Sequence, residues 1–166
     1  KKVNMKLIAG VDEVGRGPLA GPVVAAAVVF REGYFNSDIQ DSKKLSAKKR
    51  ENLVQVIKNE AYSWSIVAVG HHRIDKLNIR EASKVAMSLA LMRVEADLAL
   101  IDGNMPIYTS IRQETIVGGD ALHVEISAAS ILAKVWRDKI MCVLDKRFPG
   151  YNLSKHAGYP TQEHRD

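Results

Sequence analysis

The chain has 166 residues, enough for one domain that buries about two thirds of its unfolded surface without disulfides. Its composition, 46% hydrophobic and 26% charged, is that of a globular domain, and no apolar run reaches the roughly 18 residues of a membrane span. The net charge of +5 favours polyanionic partners such as nucleic acids, and the single cysteine, Cys142, excludes an internal disulfide and indicates a reducing compartment, the cytoplasm.

Hydrophobic periodicity and glycine or proline breaks predict eight elements in the order β-β-α-β-α-β-β-α. In chain order they are strands over 6–14 and 21–30, a polar loop over 31–44, a helix over 46–61 capped by Ser46, a strand over 62–70, a helix over 79–96, strands over 97–101 and 114–117, and a helix over 125–148 that ends before Pro149. The first two strands form a hairpin and the later ones are separated by helices. This order predicts an α/β fold with a mixed sheet and helices on its faces.

Acidic residues lie where three of these strands end. Asp12 and Glu13 end the first strand, Asp102 ends the fourth, and Asp120 follows the fifth. Neighbouring strands lie about 4.8 Å apart, so acids at adjacent strand ends can converge in the crevice beyond the sheet. Convergent carboxylates repel one another unless a cation neutralises them, and Mg²⁺ and Mn²⁺ prefer oxygen ligands. Two such ions about 3.5–4 Å apart can hold the attacking and leaving oxygens of a phosphodiester during hydrolysis by water.

Two observations keep another interpretation open. Single acids at strand ends are common as solvated turn residues, and the glycines beside Asp102 and Asp120 are typical of turns. Adjacent residues of a regular strand face opposite ways, so Asp12 and Glu13 cannot both point at one ion unless the strand twists or bulges, or one residue uses its backbone carbonyl. The residues alone therefore leave both a metal nuclease and unrelated turn acids possible.

Six blocks of sequence, occurring in this order, carry a resemblance to a known family. They are "GVDEVGRGPLAGPV", "DSKKLS", "IDGN", "GGD", "ISAASILAKVWRD" and "HAGYPT". Together they resemble the ribonuclease HII (type 2 ribonuclease H) family over almost the whole chain. The resemblance implies an RNase H-like fold with a mixed central sheet flanked by helices. It also implies a Mg²⁺- or Mn²⁺-dependent endonuclease whose metal ligands are the four acids above.

The resemblance further implies the substrates. The family cuts the RNA strand of RNA–DNA hybrids, and it cuts 5′ of single ribonucleotides in duplex DNA, leaving a 3′-hydroxyl and a 5′-phosphate, which places it in ribonucleotide excision repair. Gly15, Arg16 and Gly17 match the element that reads the ribonucleotide 2′-hydroxyl, and Tyr159 matches the tyrosine at the RNA–DNA junction. Without the resemblance, "GRG" would be a flexible turn and Tyr159 an anchor for the polar tail.

Lys43 and Lys44 resemble phosphate contacts of the family. Ser127, Ser130 and Lys134 lie near the start of the last long helix, whose N–H groups would face a phosphate, and Asn104 would support Asp102. Without the resemblance, the lysines would be solvated and the serines would be small packing residues.

Several residues fall outside the expected functions or depart from the family pattern. We expect Cys142 to be buried, and we assign no catalytic role to His71, His72, His123, His156 or His164. Gly119 stands where the family often has lysine, and Trp136 where it often has threonine.

We treat residues 1–166 as a single RNase H-like catalytic domain. Relatives usually continue into another helix beyond His164, and that helix is missing from this sequence. We expect a monomer that acts on RNA–DNA hybrids and ribonucleotide-containing duplexes in the cytoplasm, without a membrane partner.

The sequence argues against three alternative functions. A ribonuclease HIII would carry another residue in place of Arg16 and an extra domain before the fold, whereas only six residues precede Leu7. A catalytically silent nucleic-acid-binding module would have lost a metal acid, and all four are present. A small-molecule α/β enzyme would need a cofactor loop, and no G-x-G-x-x-G or P-loop pattern opens a helix.

Overall fold

The computed structural model describes residues 5–15, 21–70 and 76–147. It contains a five-stranded sheet with the order β3-β2-β1-β4-β5. The strands are β1 (Leu7–Val14), β2 (Val23–Arg31), β3 (Ser63–Val69), β4 (Leu98–Asp102) and β5 (Arg112–Ile116). β2 pairs antiparallel with β1 and β3, whereas β4 pairs parallel with β1 and β5. The predicted hairpin and mixed sheet are confirmed.

The helices cover both faces of this sheet. They are α1 (Ser37–Gln40), α2 (Ala47–Glu60), α3 (Lys76–Met92), α4 (Gly119–Leu122) and α5 (Val124–Arg147), with a 3₁₀ turn over Ser42–Lys44. The prediction for α2 is confirmed, including its cap, since Ser46 Oγ accepts the Lys49 N–H at 3.3 Å. The prediction of a polar loop over 31–44 was wrong, because this segment contains α1 and the 3₁₀ turn. Asp120, expected to follow the fifth strand, lies in the short helix α4 after β5.

α3 packs on one face of the sheet, and α5 with α2 packs on the other. Val11 and Ile101 belong to the apolar cluster under α3, whereas Ala26 and Val28 belong to the cluster under α5. The approach of α5 to β1 depends on Gly10, because a Cβ atom there would lie 2.1 Å from the carbonyl carbon of Glu125. The backbone of α5 therefore lies directly against the central strand.

The membrane and cysteine expectations had different outcomes. Within the described ranges, no helix combines the length and apolarity that a bilayer crossing requires. The expectation that Cys142 is buried was wrong, because its side chain is exposed. Met141 is the residue of this stretch that packs into the protein, and one residue further along an α-helix turns the side chain by about 100°.

Candidate active site

Parallel pairing brings the carboxyl ends of β1, β4 and β5 to one edge of the sheet. The last register pair between β1 and β4 is Val11 with Ile101, and the next residue on each strand is Asp12 and Asp102. Both register partners face α3, so alternation directs the two aspartates to the α5 face of the sheet. The convergence expected from the strand ends is therefore present for this pair.

Asp12 has the most perturbed carboxyl group of this edge. Its side chain is buried, and burial raises its pKa well above the usual value. The nearby Asp102 carboxylate raises this pKa further, as does Glu13, while the Glu13 N–H that donates to Asp12 Oδ1 at 2.8 Å opposes the rise. The carboxylates thus lie close enough to repel one another, which is the condition a bound cation would relieve.

Glu13 lies in a regular part of β1. The ladder with β2 pairs residues one to one, including Asp12 with Ala26, Glu13 with Ala25 and Val14 with Val24. Because this ladder contains no bulge, one of the ways for Glu13 to reach an ion shared with Asp12 is removed. Two ways for Asp12 and Glu13 to share an ion remain, a local twist of the strand and a contribution from a backbone carbonyl.

The turn that precedes Asp120 is hydrogen-bonded to the Asp102 side chain. Gly118 adopts a left-handed conformation (φ 69°) as the N-cap, and the Gly119 N–H donates to Asp102 Oδ1 at 2.8 Å. The Ser127 hydroxyl donates to the backbone carbonyl of Asp120. A Cβ atom at Gly119 would lie 2.4 Å from Ile126 Cδ1 and 3.4 Å from Asp102 Oδ1. A lysine here would therefore require Ile126 to move.

Lys43, at the end of the loop before α2, forms an ion pair with this aspartate. Its Nζ lies 3.2 Å from Asp120 Oδ1. Among the described residues, no three His, Cys, Asp or Glu side chains are grouped closely enough to hold a metal ion as they stand. The adjacent Asp12 and Asp102 nevertheless offer only oxygen donors, which suit Mg²⁺ or Mn²⁺. Asp120 could join them by exchanging the Lys43 ammonium group for the ion.

The other predicted substrate residues occupy varied positions. Lys44 and Asn104 are exposed, Lys134 is half-buried, and Ser127 and Ser130 are buried near the start of α5. Gly15 follows β1 with φ 101°, a conformation that favours glycine. Arg16, Gly17 and Tyr159 lie outside the described residues, as do His71, His72, His156 and His164.

Two buried charged residues were missed by the sequence analysis. Glu125 and Arg137 lie on α5 and are 7% and 1% exposed. The signal that could have found them is helical spacing, because Arg137 lies midway between the buried Ala133 and Met141, four residues from each. A charge on a buried helical stripe requires partners inside the protein.

The fold and the acidic sheet edge place the protein among the ribonucleases H. The solved ribonuclease H2 from Pyrococcus horikoshii matches it with a TM-score of 0.75 and 25% identity, covering 96% of this chain and 83% of that one. The sequence model described as Ribonuclease HII matches residues 9–166. The ribonuclease HII of Syntrophus aciditrophicus is 51% identical over 163 residues, covering 97% of this chain and 77% of its own. That of Acinetobacter baylyi is 52% identical over 161 residues, covering 95% of this chain and 85% of its own.

The chain therefore belongs to the ribonuclease HII family, as its six motifs predicted, and it is a metal-dependent endoribonuclease.

Proposed function

We propose that this protein cleaves the RNA strand of RNA–DNA hybrids and also cuts 5′ of single ribonucleotides in duplex DNA. The products are a 3′-hydroxyl and a 5′-phosphate. The observation that carries the chemistry is the buried Asp12 carboxyl beside Asp102, at the edge where three parallel strands end. Membership of the ribonuclease HII family supports the substrate class.

The four acids hold the metal in this proposal. Asp12 and Asp102 form its centre, Glu13 contributes from the adjacent position, and Asp120 joins when it releases Lys43. Two Mg²⁺ or Mn²⁺ ions, when bound, supply charge stabilisation and an activated water. The Gly119 N–H fixes one oxygen of Asp102, and Ser127 fixes the backbone of Asp120, so both carboxylates are oriented before the ion arrives.

Substrate recognition uses residues around this centre. Lys43, Lys44 and Lys134 contact phosphates, and Asn104, in the turn after β4, supports Asp102. Gly15, Arg16 and Gly17 read the 2′-hydroxyl, which is the group that distinguishes RNA from DNA. Gly15 has a positive φ as the chain leaves β1, and its missing Cβ leaves room for the Arg137 side chain. Tyr159 packs against the sugar of the following deoxynucleotide.

The decisive experiment compares Asp120→Asn with the parent on a duplex that contains one ribonucleotide, with the cut position mapped. We expect cleavage to fall by at least about two orders of magnitude, because a metal ligand is lost, while binding of the hybrid is retained. Glu95→Gln is the matched control, since Glu95 is exposed and precedes β4 at the opposite edge of the sheet. Cleavage by Asp120→Asn at the parent rate would remove Asp120 from the site.

Metal dependence provides a second test. Chelator should abolish cleavage, and Mg²⁺ or Mn²⁺ should restore it. Zn²⁺ should restore little activity, because it favours nitrogen and sulfur ligands over an all-oxygen set. Full activity in chelator would contradict the metal mechanism.

The same duplex separates the alternatives. A ribonuclease HIII-like enzyme would cut long hybrids but would cut the single ribonucleotide poorly, and a silent binding module would cut neither. Arg16 between two glycines favours cleavage at single ribonucleotides over the ribonuclease HIII-like function.

We also propose that residues 1–166 act as a single catalytic domain and as a monomer in the cytoplasm. The described elements share one sheet with helices on both faces, which supports the single domain. Light scattering at micromolar concentration would test the monomer.

A further inference from the structure

Arg137 of α5 has the largest fully buried side chain among the described residues. It is 1% exposed, and its Nε donates to the backbone carbonyl of Pro22 at 3.1 Å. A buried guanidinium is retained in a fold only where polar groups satisfy it, and here one of those groups is backbone at the start of β2. The side chain thus connects α5 to the chain segment that joins β1 and β2.

The contacts of this side chain extend to both ends of that segment. A Cβ atom at Gly15 would lie 2.6 Å from Arg137 Nε, and one at Gly21 would lie 3.2 Å from Arg137 Nη2. Both glycines have positive φ, 101° and 89°. The guanidinium therefore occupies the space that side chains at Gly15 and Gly21 would fill, and the positions of the two backbones depend on it.

We propose that Arg137 is a positioning residue that sets where the β1–β2 connection leaves the sheet, and so places Gly15 for contact with the ribonucleotide. This inference rests on the proposed function of Gly15. Arg137 acts through Gly15, Gly21 and Pro22 and does not itself touch the substrate.

A change at Arg137 should displace the metal acids less than it displaces Gly15. Asp12 and Glu13 are fixed by paired residues of β2, Ala26 and Ala25, whereas Gly15 lies beyond the last pair, Val14 with Val24. A group that recognises one hydroxyl must be placed within about 0.5 Å of its productive position. A small shift of Gly15 should therefore slow the cleavage step while phosphate binding is largely kept.

The test uses Arg137→Met and Arg137→Lys, with Lys139→Met as the control, because Lys139 is exposed on the same helix. For Arg137→Met on the single-ribonucleotide duplex, we expect kcat to fall about 10- to 100-fold with KM changed less than about threefold. Arg137→Lys should recover part of the loss, and Lys139→Met should match the parent. Amide hydrogen exchange should accelerate in a peptide spanning 12–23 but not in one spanning 63–69.

Each outcome decides the inference. The inference would be overturned if Arg137→Met left both kcat and hydrogen exchange over 12–23 unchanged. It would also be overturned if exchange increased equally throughout the protein while kcat per folded molecule stayed the same. If Arg137→Met does not fold, Arg137→Lys is judged by the same two measurements. Failure of the parent to cut the single ribonucleotide would overturn the proposed function instead, and the exchange measurement, which needs no substrate, would still judge whether Arg137 holds this segment.

Discussion

The ion pair between Lys43 and Asp120 joins a predicted phosphate contact to a predicted metal ligand. The Lys43 side chain is 56% exposed, whereas that of Asp120 is 14% exposed. Because the Asp120 side chain is mostly buried, removal of the Lys43 ammonium group would leave a poorly solvated charge that needs another cation. Under the proposed function, the exchange of Lys43 from Asp120 to a phosphate therefore requires a metal ion at Asp120.

Lys43→Ala should weaken hybrid binding and leave the fold almost unchanged. Loss of one phosphate contact should reduce the slope of log affinity against log salt by about 1. Lys49→Ala, an exposed change on α2, is the control and should keep the parent slope. Fluorescence anisotropy in Mg²⁺ between about 50 and 200 mM salt measures this, with Asp120→Asn present in every protein to prevent cleavage. An unchanged slope for Lys43→Ala would contradict the phosphate contact.

Glu125 predicts a pH dependence of stability. Burial raises its pKa, while its own backbone N–H and His123 oppose the rise. Since the folded pKa exceeds the unfolded one, its favourable contribution is present at low pH and is lost as pH rises above about 4.3. The free energy of unfolding of Glu125→Gln relative to the parent should therefore be higher at pH 7 than at pH 4. Urea unfolding measures this difference, which should be independent of pH for the exposed Glu95→Gln.

At the scale of elements, the contact of α5 with β1 fixes the geometry of the site. Gly10 admits the α5 backbone on the face to which Asp12 points, two residues further along β1. The start of α5 carries Ser127, which holds the Asp120 backbone. Helix and strand are thereby packed so that the start of α5 lies on the same face of the sheet as Asp12.

Gly10→Ala should destabilise the protein by about 3 kcal/mol or more, because the added methyl group meets backbone atoms that cannot rotate away. Gly70→Ala is the control, since a Cβ atom there would have no neighbour within 4 Å. It should change stability by no more than about 0.5 kcal/mol. Thermal unfolding of both variants measures the contrast, and equal stabilities would mean that α5 can shift away from β1.

Elements with strong periodicity were predictable, and short ones were not. The strands and the long helices bury continuous apolar patterns, so the sequence places them within a few residues. α1 and α4 are each four residues long, and they depend on local features, the Asn36 side chain that caps α1 and the left-handed Gly118 before α4. Such short helices have almost no periodic signal.

The candidate site was predictable to a similar degree. Strand order alone brings Asp12 and Asp102 together, because parallel strands end at one edge. The ion pair of Lys43 with Asp120 and the burial of Arg137 depend on how loops and helices pack, which single-sequence patterns do not encode. Predicting the burial of Arg137 would have required recognising that this residue falls on the buried stripe of α5.

For the whole molecule, the net charge of +5 contrasts with the acids collected at one sheet edge. The net positive charge favours a polyanionic partner, while Asp12 and Asp102 at this edge offer oxygen donors to a cation. Burial and the neighbouring Asp102 raise the pKa of Asp12, so the charged form of this carboxyl group is destabilising in the folded protein.

Asp12→Asn should therefore stabilise the metal-free protein while it removes the response to metal. The amide keeps an oxygen for the Glu13 N–H but carries no charge beside Asp102. We expect a gain of about 1 kcal/mol at pH 7, or about 2–4 °C in Tm, in chelator. Mn²⁺ at about 100 times its Kd should stabilise the parent by about 2.7 kcal/mol and the variant by far less. Calorimetry with and without Mn²⁺ measures both effects, with Glu95→Gln expected to behave as the parent. A variant that is less stable in chelator, or that Mn²⁺ stabilises as strongly as the parent, would show that Asp12 is not a metal ligand held under repulsion.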